Sequence, residues 1–187
     1  MADLGAVPAV ETTKRSTVGE DKVEVRQMAA AFLTFQDQVL LMNKTKSRLI
    51  NRAFWSCPGG HLEPEELNHP MTACLRELHE ETGLSESDIQ GLHLRYILFR
   101  RAGEEIRQQF VYFGEACTQQ VTASDEGELY WINRDALLEL EMSFVVKQMI
   151  AHYYRHPEMQ SITMGAVTVE NGEVRMQWSS LVDPQIF

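Results

Sequence analysis

Three glutamates and one arginine crowd the stretch Arg76-Glu77-Leu78-His79-Glu80-Glu81-Thr82-Gly83. At about 100° per helical residue, the spacing i, i+3, i+4 predicts Glu77, Glu80 and Glu81 on one arc. Such an arc repels itself unless a cation sits on it. Hard divalent ions take oxygen ligands, and magnesium is held by one or two carboxylates together with substrate phosphates and water. The turn Gly59-Gly60 can add a backbone carbonyl, and Glu63, Glu65 and Glu66 lie in the loop leading in. Arg76 adjoins Glu77 and is i, i+4 from Glu80, which suits it to orient a carboxylate. A glutamate-rich helix face is most often only solvated. The coincidence of glycine turn, acidic loop, arginine and helix in one window is what points to a metal site.

The elements that must position these groups are legible on either side. Met71, Cys74, Leu75, Leu78 and Thr82 make a core-facing stripe beside the acidic arc. Pro70 suits the first helical position and Gly83 the C-terminal cap, so a helix is predicted over Pro70–Thr82. Pro58 disfavours helix before it, and Gly59-Gly60 frees the backbone for a close approach. Strands are predicted at 22–26, 28–35 and 39–42, with Gln36-Asp37 as a turn. Further strands are predicted at 92–101, 106–116 and 129–132. Residues 43–51 read as a loop, in which Lys44, Lys46, Arg48 and the following Arg52 concentrate positive charge. Helices are expected at 134–141 and 143–154, the second carrying a stripe of Phe144, Val145, Met149, Ala151 and His152 that reads as core or dimer surface. Ile162 to Val169 and Val174 to Trp178 flank Asn171-Gly172, a pair suited to a type I′ turn, and read as a hairpin. Residues 1–21 read as a polar arm and 22–187 as a single α+β domain.

At 187 residues the chain suits one domain. No apolar run approaches the roughly 20 residues that span a bilayer, and the N-terminus lacks a secretory pattern. Cys57, Cys74 and Cys117 form no paired metal spacing, so reduced thiols in the cytoplasm are expected. A net charge of −10 argues against non-specific nucleic-acid binding but not against a small phosphorylated substrate, because a bound cation inverts the local sign.

The window resembles the Nudix box, G-x5-E-x7-R-E-U-x-E-E-x-G-U with U apolar. Gly60 leads by five residues to Glu66, and Arg76, Glu77, Leu78, Glu80, Glu81, Gly83 and Leu84 match the second half. Trp55, Pro58, Gly59 and Glu63 are similar to the family's upstream residues. Nine residues separate Glu66 from Arg76 where the pattern has seven, and the two extra residues are assigned to the loop from Glu66 to His69. The resemblance implies a mixed β-sheet sandwiched between α-helices and hydrolysis of a nucleoside diphosphate derivative. It implies Mg²⁺ or Mn²⁺ on Glu77, Glu80, Glu81 and the Gly60 carbonyl, with Glu77 as the proton acceptor and Arg76 beside it. Glu66, Glu126 and Glu128 are further candidate acids. A (d)NTP or an oxidised nucleotide is the default substrate, since no proline lies between Pro70 and Pro157 and no coenzyme A signature precedes the box. The alternative is a nucleotide-sensing module without catalysis; the full set of box glutamates favours an enzyme.

Other residues carry weaker expectations. Arg95, Arg100 and Arg101 are candidates for phosphate contact, with solvent-facing positions expected for at least two. Trp55, Phe99 and Tyr112 are candidates for base stacking, though strand aromatics are more often core. His79 is expected at the surface, and Cys57 is expected as a small buried residue without a histidine partner.

Overall fold

The computed structural model describes residues 23–44 and 54–184. Its strands are β1 (Glu24–Phe35), β2 (Gln38–Lys44), β3 (Phe54–Ser56), β4 (Gly59–His61), β5 (Ile89–Ala102), β6 (Glu105–Ala116), β7 (Glu128–Asn133), β8 (Thr163–Glu170) and β9 (Glu173–Ser180). Two α-helices, α1 (Pro70–Thr82) and α2 (Phe144–Arg155), complete the fold with short 3₁₀ turns. The strands form one mixed sheet in the order β3-β2-β1-β6-β5-β8-β9, with β4 paired to β1 and β7 to β2. Among its pairings, β1–β6 and β5–β8 run parallel.

One helix covers each face. Ala29, Ala31 and Leu33 point to α1, where Ala73, Cys74 and Leu78 meet them. The alternate residues Ala30 and Phe32 point to the other face, against Val145, Met149 and Ile150 of α2. Burial on both faces explains why this stretch of β1 is a continuous apolar run rather than an alternating one. It also explains why 24–35 is one strand: the segments 22–26 and 28–35 join, and the polar start is the part that extends beyond the helices. Of the stretch read as a loop over 43–51, Asn43 and Lys44 instead close β2, while residues 45–53 and the N-terminal arm lie outside the described residues.

Helix α1 has the predicted bounds, and Gly83 closes it at φ 73° with its N–H bonded to the His79 carbonyl. Its core stripe is narrower than expected. Cys74, Leu78 and Thr82 are buried, whereas Met71 and Leu75 are partly exposed. The segment predicted helical at 134–141 is a 3₁₀ turn at Arg134–Glu139, capped by Asn133. In α2, Val145, Met149 and His152 are buried, and Phe144 is exposed. Strands β8 and β9 turn through Asn171 and Gly172, both at positive φ, and Trp178 stacks on His152 at 4.2 Å between ring centroids. Among the described residues no helix is long and apolar enough to cross a membrane.

Candidate active site

The site is built where β1 changes neighbours. Along one edge β1 stays with β6, while along the other it pairs first with β4 at Met28–Ala30 and then with β2 at Thr34–Phe35. The β4 pairing presses the Gly59-Gly60 turn between β1 and α1. At Gly59, φ is +145° and an added Cβ would lie 2.3 Å from the Ala29 carbonyl oxygen, so only glycine fits. At Gly60 an added Cβ would fall 2.4 Å from Glu77 Oε1, so the missing side chain is the space that the Glu77 carboxylate fills.

The three helix acids share an arc but not an environment. Glu81 is buried: its Oε2 accepts from the Gly59 N–H at 2.6 Å and its Oε1 lies 3.2 Å from Lys44 Nζ. Glu77 is largely covered, and Glu80 is more than half exposed. Arg76 holds several carboxylates at once. Its Nε and Nη2 donate to Glu66 at 2.9 and 2.8 Å, its Nη1 to Glu77 at 2.9 Å and Glu80 at 3.1 Å, and Nη2 also to the His61 carbonyl. Glu66 is buried although it comes from the lengthened loop. The 3₁₀ turn Pro64–Glu66 delivers it, and its carboxylate also accepts from the Glu63 N–H. Leu67, Asn68 and His69 are exposed, so the two extra residues can be absorbed there without moving the acid.

Electrostatics follows from these contacts. Burial pushes the Glu81 carboxyl up to about 7, against the pull of Lys44 and the Gly59 N–H. Burial also raises Glu77, with Arg76 pulling the other way. The Arg76 hydrogen bonds hold Glu66 below its usual value. Lys44 is pulled down by burial, but its bonds and charges with Glu126 and Glu81 outweigh that and leave it raised.

Of the two later acids, Glu126 reaches the site and Glu128 does not. Glu126 Oε2 lies 2.8 Å from Lys44 Nζ, while Glu128 accepts from the Tyr130 hydroxyl. Gly127, between them, packs its Cα on β2, where a Cβ would meet the Asn43 carbonyl at 2.7 Å. Glu63 lines the cavity, and Glu65 is exposed. His79 is exposed, and Cys57 is buried with its thiol pushed up to about 12 by burial, which disfavours a thiolate nucleophile. Arg95 is buried rather than solvent-facing, at an irregularity in β5, while Arg100 and Arg101 are exposed. Tyr112 belongs to the α1-side core and Trp55 packs on the edge of Tyr130.

Two cavities meet at this place. A polar one of about 430 Å³ is lined by Lys44, Gly60, Arg76, Glu77 and Glu126 among others. A more apolar one of about 250 Å³ on the α2 face is lined by Phe54, Cys57, Leu98, Phe99 and Val145, and Arg100 and Arg107 also border it. Met28, Lys44 and Gly59 belong to both. Phe99 is thus the stacking candidate that reaches a cavity. Lys44 and the Gly59 N–H are the partners of the site acids that motif reading missed. A lysine closing an apolar strand was the available signal, but the β2–β7 pairing is what brings it beside Glu126, and the packing of α1 on the sheet brings Glu81 to it.

Among the described residues no three carboxylates converge at metal-ligand distance as the side chains stand. As they stand, the carboxylates are engaged by cations, Glu66, Glu77 and Glu80 by Arg76 and Glu81 and Glu126 by Lys44. The donor set nevertheless suits a hard divalent ion: several carboxylates beside a polar cavity, with Glu77 seated on Gly60, where any side chain would displace it.

The NUDIX domain family model matches residues 25–153. The mutator MutT protein from Bacillus halodurans superposes with a TM-score of 0.63 at 22% identity, covering 82% of this chain and 97% of that one. A MutT protein from Methanosarcina mazei Go1 gives 0.63 at 19% identity over 74% and 99%. An Ap4A hydrolase from C. elegans, solved as a binary complex, gives 0.58 at 16% identity over 72% and 98%. At these identities the likeness is one of fold. No curated protein matches the chain. The sheet sandwiched between helices and the matched sequence together define a pyrophosphohydrolase domain. The chain belongs to the Nudix family.

Proposed function

We propose that this chain is a divalent-metal-dependent hydrolase that cleaves the diphosphate linkage of a nucleoside diphosphate derivative. The observation that carries the reading is the junction of an acid-walled cavity with an apolar one through Met28, Lys44 and Gly59. A diphosphate fits the first and the organic group attached to it fits the second.

Glu77, Glu80, Glu81 and the Gly60 carbonyl are the residues to hold Mg²⁺ or Mn²⁺, with Glu126 and Glu66 as supporting acids. Such an ion, when bound, neutralises phosphate oxygens and acidifies water. Glu77 accepts the proton of the attacking water; its partly desolvated carboxyl, raised above the usual carboxylate range, suits that role. Arg76 is a positioning residue, since its guanidinium is occupied by carboxylates and by the His61 carbonyl. Lys44 brings an ammonium of the cavity wall next to Glu81 and Glu126.

Phosphate products are measured from a panel of nucleoside diphosphate derivatives, with (d)NTPs and oxidised nucleotides as its first members, in Mg²⁺, in Mn²⁺ and in EDTA. Turnover in metal that EDTA abolishes is expected. Glu80→Gln and Glu81→Gln are each expected to lower it by two or more orders of magnitude. Metal-dependent binding with no turnover of any compound would leave a sensing module instead.

A further inference from the structure

The sheet carries a row of arginines that the acid site does not use. Arg26 on β1 is the register partner of Arg107 on β6, which is in turn the register partner of Arg100 on β5. Their positions share the face of Ala30, Val111 and Leu98, the α2 face, because each lies an even number of residues from one of these. Like charges directly opposite in a sheet are destabilising. Two such pairs adjoin here, in a protein whose net charge is −10.

Compensation is incomplete among the described residues. Among the described residues, Glu105 is the carboxylate within ion-pair distance of the row, 2.9 Å from Arg26 Nη2 and 2.9 Å from Arg107 Nε. Arg100 has no such partner among them. Partial desolvation of its guanidinium first, and the Arg107 charge second, hold Arg100 below its ordinary value, although the residue as a whole is exposed. Both Arg100 and Arg107 border the 250 Å³ cavity that Met28, Lys44 and Gly59 join to the acid-walled one. Arg26 lies three residues along β1 from the partner of Gly60 and four from that of Gly59. At a rise of about 3.3 Å per residue, the row stands about 10–13 Å from the glycine turn.

We propose that Arg100 and Arg107, backed by Arg26, form an anion subsite for a phosphate carried on the organic group of the substrate, remote from the diphosphate that is cleaved. The substrate class is then a nucleoside diphosphate derivative bearing a further phosphoryl group. A guanidinium pair matches a phosphate by its donor fork and fixed charge. A polyanion is disfavoured by the overall charge, whereas a single phosphate needs only the local excess. The inference rests on reading the acid-walled cavity as the diphosphate site.

The test separates the two readings by removing metal. In EDTA the acid cavity repels phosphate, so calorimetric titration with inorganic diphosphate reads the arginine row. Binding is expected, with Arg100→Gln and Arg107→Gln each weakening it at least tenfold while thermal unfolding shows both variants folded. No binding in EDTA, or binding that neither variant weakens, would overturn the subsite. In Mg²⁺, NADPH and NADH differ by one ribose phosphate. A KM preference of about tenfold for NADPH is expected, lost in Arg100→Gln; equal KM values before the substitution count against the subsite. Should no diphosphate be turned over at all, the hydrolase reading fails and the EDTA titration still decides the subsite.

Discussion

Arg76 grips Glu66 through two parallel hydrogen bonds, Nε to Oε1 at 2.9 Å and Nη2 to Oε2 at 2.8 Å. The pair ties the lengthened loop to α1 and leaves Nη1 free to reach Glu77 and Glu80. Removing one member of a covered ion pair strands the other. Arg76→Ala is therefore expected to cost about 3–5 kcal/mol, and Arg76→Lys less, because an ammonium keeps the charge but not the fork. Urea unfolding of the two variants measures this; equal costs would mean that the fork geometry contributes nothing.

The adjacent glycines should fail differently. Gly59→Ala drives a Cβ into the β1 backbone at a positive φ and is expected to prevent normal folding. Gly60→Ala meets only the movable Glu77 carboxylate, so the fold should persist while turnover falls at least a hundredfold. Far-UV circular dichroism read beside activity separates the two outcomes, and a folded, fully active Gly60→Ala would remove Glu77 from the site.

Glu126 and Glu128 stand two residues apart with opposite expectations. Glu126→Gln weakens an ion pair to Lys44 at the cavity wall and should lower turnover about tenfold or more. Glu128→Gln touches only Tyr130 and should leave it near normal. Steady-state kinetics of both variants checks the assignment.

His152 makes stability depend on pH. Burial first, then the charges of His156, Arg155 and Arg95, push it down to about 4. The folded state thus binds the proton less well than the unfolded chain, whose histidine titrates near 6.5. Stability from this group is fully present above about 6.5 and is lost as pH falls through 4. Glu81, raised to about 7, acts in the opposite sense: its contribution is present at low pH and lost as pH rises through 7. The measurable quantity is therefore a difference. His152→Gln should show a smaller loss of urea midpoint between pH 6.5 and 4 than the unsubstituted protein, and identical slopes would refute a buried neutral His152.

Trp178 couples the last hairpin, beyond the residues of the family match, to α2 and β5 through His152 and Tyr96. It is half-buried, so Trp178→Ala should cost about 2 kcal/mol, less than a fully buried tryptophan. Denaturant unfolding measures the loss, with unchanged KM expected because the contact lies away from both cavities.

Local chemistry made much of this protein legible before any fold was known. Pro70, Gly83 and the apolar stripe between them bound α1, because caps and helical period act within a few residues of chain. The glycine turn and the acids of the box could be named for the same reason. Tertiary structure alone decided what each acid faces. Residues 77, 80 and 81 are neighbours on a helix, yet the pairing of β4 with β1 buries Glu81 under Gly59 and leaves Glu80 in water. Lys44 comes to the same acids from a strand far away in sequence, and the arginine row exists only as register across β1, β6 and β5. A side chain's solvation and its long-range partners are properties of strand pairing. Spacing along the chain fixes which residues share a helix face, whereas burial and charge balance are set by what the sheet brings against that face.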